Sequence, residues 1–201
     1  MISVSAHRIL LATVSPFFAN IFCRDNSIET VSLEGIEEDA LRDVLDFCYS
    51  GVIEMNEGNV RGILQAATLL QIESLIDECC LYLKNIMDLQ NVFWITECAE
   101  RNGMTKLLPS CIDKIRRNFD ELQKRTEFLG LSPELLEEVL ADNFLKTKLE
   151  RVVALATIGW VKHRINAGNA GNSDGIAKVL RNIRLVELSE GVGRSSFCLG
   201  N

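Results

Sequence analysis

Between Asp88 and Leu140 the chain punctuates itself so clearly that few architectures remain open to it. Val92, Ile95 and Ala99 recur at i, i+3 and i+7 within Asn91–Asn102, one face of a helix with 3.6 residues per turn. Asn102-Gly103 is a stop signal, because glycine enters the left-handed cap conformation without a Cβ penalty. A second helix then carries Leu108, Cys111, Ile112, Ile115 and Phe119 on one stripe. So short a connection is expected to fold the two helices against each other as a hairpin. After Glu127-Phe128-Leu129-Gly130-Leu131, the run Ser132-Pro133-Glu134 opens a third helix with a capping serine, a proline and an acid in the first turn. Leu135, Leu136, Val139 and Leu140 form its buried face. Nothing here pairs a nucleophile with a base, so the stretch reads as a packing and docking module.

A chain of 201 residues suits one domain or two small ones, and buries roughly 70% of its unfolded surface. Its net charge of −7 argues against nucleic acid, whose binders carry a basic footprint. The nearest basic run, Lys114-Ile115-Arg116-Arg117, has Ile115 on the packing stripe and reads as the cation-favouring end of a helix. Cysteines stand at 23, 48, 79, 80, 98, 111 and 198, an odd number with no CxxC pair. They read as reduced, buried thiols of a cytosolic or nuclear protein, with Cys79-Cys80 a helical core pair. Only His7 and His163 could join them around zinc, and no ligand spacing is present, so no metal or other cofactor is expected. Ser3, Ser5, His7 and Arg8 interrupt Met1–Val14 too often for a secretory signal, and no apolar run approaches the ~18 residues of a membrane span. The expected compartment is the cytoplasm, with the nucleus as the second possibility.

Taken in order, Ala6–Val14 is a short helix, and Ser15-Pro16 restarts it with Ser as N-cap. Phe17, Phe18, Ile21 and Phe22 follow on the next helix, and Glu29–Leu33 alternates with period two as a short strand. Leu41, Val44, Leu45 and Cys48 line a helix closed by Gly51, and Val52-Ile53-Glu54 is a brief extended piece. Asn59 is expected to cap a helix with Val60, Ile63, Leu64 and Ala67 inward. Leu75, Ile76, Cys79, Leu83 and Ile86 line the one after it. The single strand has no good partner in the sequence, although its backbone groups need one.

Three groups of residues in this order carry a family resemblance. Ala6–Phe18, Val31–Ile36, Phe47–Gly51 and Ala66–Ile72 resemble BTB (POZ) domains. Asp88–Asn91, Ala99–Gly103, Asn118-Phe119 and Glu127–Leu131 resemble the BACK domain of kelch-like proteins. Trp160–His163 and Ile183–Leu185 continue that second match. The resemblance implies a mainly α fold: a partial BTB/POZ domain of helices with a small β element over 1–87, an all-helical BACK domain over 88–189, and a flexible tail over 190–201. It also implies a non-catalytic adaptor of a cullin-3 RING ubiquitin ligase, which holds a substrate near the ligase and raises its effective concentration. Phe17, Asn20 and Ile21, with Ile28 and Glu29, would face the cullin. Val92, Ile95, Leu108 and Ile112 would bound a groove for the cullin's N-terminal extension, unless they are internal core. The alternative function is a BTB–BACK interaction scaffold or transcription-related regulator without ligase activity.

Three departures qualify the implication. The family's first helix and strands, which build its homodimer interface, should precede His7, so a truncated sheet and no stable dimer are expected. The loop Cys23–Thr30 is short, and Ile28 and Glu29 are adjacent where the family spaces a hydrophobic residue from a glutamate. No Gly-Gly doublet or ~50-residue repeat marks a kelch propeller, so substrate recruitment in the family's usual way is not expected.

Leu149, Val152, Val153, Ala156 and Trp160 form the last long stripe, with Trp160 as core anchor and Gly159 costing about 1 kcal/mol relative to Ala. Asn166–Gly175 reads as an inter-helix loop, since neither a preceding strand nor a Gly-Lys-Ser/Thr marks a phosphate site. Ile176, Val179, Leu180 and Ile183 line the last helix. His7 lies on a motif helix and His163 at a helix end, so neither supports Cys-His or Ser-His catalysis.

Overall fold

The computed structural model describes residues 4–25, 27–141, 150–166 and 173–181. Leu149, Ile183–Leu185, most of the glycine-rich run and the tail lie outside the described residues. The chain divides into two compact units, Met1–Met87 with Ala99–Leu107, and Asp88–Cys98 with Leu108–Asn201. The first unit thus takes in a short segment beyond residue 87. Lys106 fixes that segment to the preceding helix through its ammonium, 2.7 Å from the Asp77 carboxylate.

The first unit holds α1 (Arg8–Val14), α2 (Pro16–Arg24), α3 (Glu38–Ser50), α4 (Val60–Leu69) and α5 (Glu73–Ile86). Ser15 separates α1 from α2 because Pro16 cannot continue a helical hydrogen-bond ladder. The Ser15 hydroxyl accepts from the Phe18 N–H at 3.3 Å and donates to the Leu70 carbonyl at 2.5 Å. One buried side chain therefore caps α2 and holds the end of α4.

Helix α3 packs on α4 and α4 on α5. Val44, Val60, Ile63, Leu64, Ala67, Leu75, Cys79 and Leu83 are at most 1% exposed, as their helical spacing requires. A Cβ on Gly62 would lie 3.1 Å from that of Ala40, so glycine permits the close approach of α3 and α4.

Helix ends in this unit follow one geometry with different residues. Gly51 (φ +71°) ends α3 with its N–H on the Phe47 carbonyl at 2.8 Å. Gln71 (φ +56°) ends α4, with the Ile72 N–H on Ala67 O and its own N–H on Thr68 O. Gly103 (φ +62°) repeats this two-bond pattern through the Met104 N–H on Ala99 O and its own N–H on Glu100 O.

Two local expectations change. No strand forms among the described residues: Glu29–Leu33 and Val52–Glu54 have extended-type patterns but no ladder partner. The small β element is absent for the reason the sequence suggested, since alternation alone cannot satisfy backbone groups. Asn59 precedes α4, but its side chain makes no cap bond. Asn56 closes this turn instead, its Oδ1 accepting from the Gly58 and Asn59 N–H groups at 2.8 and 3.0 Å. The Asn59 side chain turns back, accepting from the Asn56 N–H and donating to Glu54 O.

Helix α6 (Val92–Arg101) begins in the second unit and ends in the first. The second unit continues with α7 (Leu108–Arg117), α8 (Phe119–Leu122), a 3-10 turn (Thr126–Gly130), α9 (Pro133–Leu140), α10 (Glu150–Asn166) and α11 (Ser173–Arg181). Helix α7 packs chiefly on α8 and α9, α9 on α11, and α10 on the 3-10 turn and α11. The expected hairpin of the Asn91–Asn102 helix with α7 is therefore not the organising contact. A stripe at i, i+3, i+7 fixes which face is buried but not which helix covers it.

Ser132 caps α9 through the Leu135 N–H at 3.2 Å, as its Ser-Pro-Glu signature requires. Trp160 is fully buried and donates its indole N–H to the Leu131 carbonyl at 3.0 Å. Arg164, one turn on, donates to the same oxygen at 2.9 Å and lies 5.0 Å above the Trp160 ring. Two further arginines use the same device. Arg116 donates to Val139 O and Glu138 O at the end of α9, and Arg125 donates to Leu89 O. Each ties a guanidinium to a backbone carbonyl distant along the chain, and the Glu138 carbonyl also accepts the Ala141 N–H at 3.2 Å.

Candidate functional site

Helix α2 presents two faces. Phe18 is 4% exposed, stacks on Phe22 with ring centroids 5.8 Å apart, and anchors the helix in the first unit. Arg8 covers the Phe22 ring at 4.7 Å. Phe17, Asn20 and Ile21 fall at i, i+3 and i+4 on the other side, with Asn20 exposed and its two neighbours half-buried. Three of the five residues expected to face the cullin thus share one helix face, while Ile28 and Glu29 lie beyond the helix end at Arg24. Phe17 also meets Phe18 edge-on at 5.3 Å, which limits its rotamers.

Beyond α2 the chain turns at Asp25. The Ser27 hydroxyl and N–H donate to Asp25 Oδ1 at 2.6 and 2.8 Å, and these bonds hold the Asp25 carboxyl below its ordinary range. This turn sets the start of the short loop that carries Ile28, half-buried, and Glu29, exposed.

The four residues expected along a BACK groove are placed differently. Val92 and Ile95 are fully buried and Ile112 is 2% exposed, which leaves Leu108 as the partly exposed member. An aromatic cluster lies in the same unit: Phe93 and Phe119 meet Phe128 edge-on at 6.4 and 5.7 Å. Arg125 lies 6.0 Å over Phe93 while it holds Leu89 O. Three of the four candidates are therefore interior in this structure. Their periodicity was the signature of a buried face, which serves a core as well as a groove.

The His7 N–H donates to Tyr49 Oη at 2.9 Å, with His7 Nδ1 2.8 Å from the same oxygen, joining the start of α1 to α3. His163 is exposed near the end of α10. Among the described residues no three His, Cys, Asp or Glu side chains converge as metal ligands, and no helix is long and apolar enough to cross a membrane. Cys48, Cys79, Cys80 and Cys111 are buried and form no disulfide among the described residues, and burial pushes the Cys79 thiol up to about 12.

Residues missed by sequence reasoning are polar and act at a distance along the chain. The Ser15–Leu70 bond spans 55 residues and the Arg125–Leu89 bond 36. No local spacing signals either.

The BTB/POZ domain family model matches residues 2–87, and the BACK (BTB And C-terminal Kelch) model matches residues 92–194. Kelch-like protein 28 of Homo sapiens is 30% identical over 193 residues, covering 94% of this chain and 33% of the relative. The Mus musculus Kelch-like protein 28 is 29% identical over the same span. The chain thus spans about one third of the length of the curated relatives it matches. Two domain matches in the family's order cover nearly every residue from 2 to 194, and the chain belongs to the BTB–BACK, kelch-like family.

Proposed function

We propose that this chain is a non-catalytic adaptor of a cullin-3 RING ubiquitin ligase, with a BTB domain over 1–87 and a BACK domain over 88–189. Membership of a family built from protein-interaction modules supports a protein partner in general. The observation that carries the finer reading is the outward face of α2, where Phe17, Asn20 and Ile21 stand together ahead of the loop bearing Ile28 and Glu29. The mechanism needs no chemistry in this chain. A docked adaptor raises the effective concentration of its cargo at the ligase. Each aliphatic side chain taken from water on docking contributes roughly 1.5–3 kcal/mol before ordering costs. Substrate choice belongs to the kelch propeller in this family, and none of these residues is given that role.

The test is calorimetric titration of the 201-residue chain with the cullin-3 N-terminal domain. Micromolar or tighter binding is expected, weakened about tenfold by Asn20→Arg, an exposed substitution that leaves the circular dichroism unchanged. No binding, or binding indifferent to Asn20→Arg, rejects this surface. The adjacency of Ile28 and Glu29 favours a second reading in that event, a BTB–BACK scaffold or transcription-related regulator without ligase activity.

A further inference from the structure

Three Ser or Thr residues of the chain stand three positions ahead of an acid: Ser74 before Asp77, Ser110 before Asp113 and Thr147 before Glu150. Thr147 lies outside the described residues. Ser110 is half-buried, and the residue after its acid is Lys114. Ser74 differs in both respects. It is exposed at the second position of α5, with Glu73 before it and Asp77 and Glu78 after it, all three of them exposed. Gln71 and Ile72 ahead of it are not helical, so the serine lies in a first turn that frays readily. Positions 74 and 77 are neighbours on one face of the helix. The Lys106 ammonium reaches that face from the connection of α6 to α7 and donates to the Asp77 carboxylate at 2.7 and 2.9 Å. Both side chains are more than half exposed. The hydrogen bond to Asp77 holds the Lys106 ammonium above its ordinary range, and the charges of Asp77 and Glu73 act in the same direction, so the cation faces the first turn of α5.

We propose that Ser74 is a phosphorylation site for an acidophilic serine kinase, and that Lys106 shares the attached phosphate with Asp77. A kinase groove lined with lysine and arginine selects carboxylates, and Asp77 and Glu78 present them three and four residues after the serine. Transfer moves the γ-phosphoryl group of ATP to Ser74 Oγ. The new P–O bond forms as the bond to the β-phosphate oxygen breaks, the hydroxyl proton passes to the kinase's catalytic base, and ADP leaves. Phosphoserine brings a charge of about −1.5 to −2 and three acceptor oxygens to the positive end of α5. Repulsion from Asp77 is offset by Lys106, whose three N–H donors bridge phosphate and carboxylate. The modification therefore tightens the hold of α5 on the segment that carries Lys106. It uses no residue of α2, so it stands whether or not that surface binds a cullin.

The full chain is incubated with ATP and casein kinase, an acidophilic enzyme, beside an acidic serine peptide as positive control. One phosphoryl group per chain is expected, placed on Ser74 by peptide mass mapping. Ser74→Ala should lower incorporation about tenfold, and Ser74→Thr, which keeps a hydroxyl, should retain it. Asp77→Asn should slow transfer about fivefold. Ser110→Ala should leave it unchanged. Amide exchange of the phosphorylated chain should then slow about threefold in peptides covering 99–107. Lys106→Met should leave incorporation intact and erase that slowing. No incorporation while the control peptide is labelled, or incorporation that Ser74→Ala leaves unchanged, overturns the site. Exchange in 99–107 that is unchanged or faster after labelling overturns the role given to Lys106.

Discussion

Replacing Ser15 with alanine isolates a buried polar contact that spans 55 residues of the first unit. The hydroxyl is fully buried, caps α2 through the Phe18 N–H at 3.3 Å, and donates to the Leu70 carbonyl at 2.5 Å. Loss of an N-cap costs about 0.5–2 kcal/mol. The Leu70 carbonyl at the end of α4 would lose its hydroxyl donor in the core, which costs a further 1–3 kcal/mol or so. The expected total is about 1.5–5 kcal/mol, against at most about 0.5 kcal/mol for Thr13→Ala, whose hydroxyl is exposed. Urea unfolding followed by far-UV ellipticity gives the free energies. Amide exchange then locates the loss, which should accelerate in peptides covering both 16–24 and 60–72. A Ser15→Ala cost below about 1 kcal/mol, or faster exchange confined to α2, would refute the coupling of the cap to α4.

Other consequences follow from the same structure. Trp160→Phe removes an indole bond to Leu131 O and leaves a void, costing about 2–3 kcal/mol in urea unfolding. Arg164→Lys, which keeps the charge but not the planar fork above the ring, should cost nearer 1 kcal/mol. Gly103→Ala forces a side chain into left-handed backbone and should lower stability by about 1–2 kcal/mol. Gln71→Gly relieves the same strain at the matching position and should be neutral or stabilising by about 0.5 kcal/mol, because glycine's freedom in the unfolded chain offsets part of the gain. The buried Cys79 thiol is raised to about 12 from 9.0, so its contribution to stability is whole below pH 9 and declines as pH rises toward 12. Iodoacetamide should accordingly label exposed Cys23 first and reach Cys79 only on unfolding, as peptide mass mapping would show.

The sequence alone determined the helices, their buried faces and several of their ends. Apolar residues at helical spacing must turn inward wherever they are covered, and so Val60, Ile63, Leu64, Cys111, Ile115, Leu136 and Val139 are all interior. Ser-Pro pairs at 15–16 and 132–133 acted as starts, and Gly51 and Gly103 as stops, because these signals are chemical and local. The ordered motifs also made the family legible before any coordinate was known.

Tertiary structure decided what local spacing does not encode. It chose α8 and α9 as the neighbours of α7, and it buried Val92, Ile95 and Ile112, which periodicity left equally suited to a core or a groove. It left the alternating run Glu29–Leu33 without a ladder, since a strand exists only through a second strand. It put Gln71 in a conformation usually given to glycine, and it aimed Ser15, Arg116, Arg125 and Arg164 at carbonyls distant along the chain. Burial can be read from one helix because water is the common alternative for every apolar side chain. Pairing cannot, because the partner of a hydrogen bond or a helix face is specified only when the whole chain has folded.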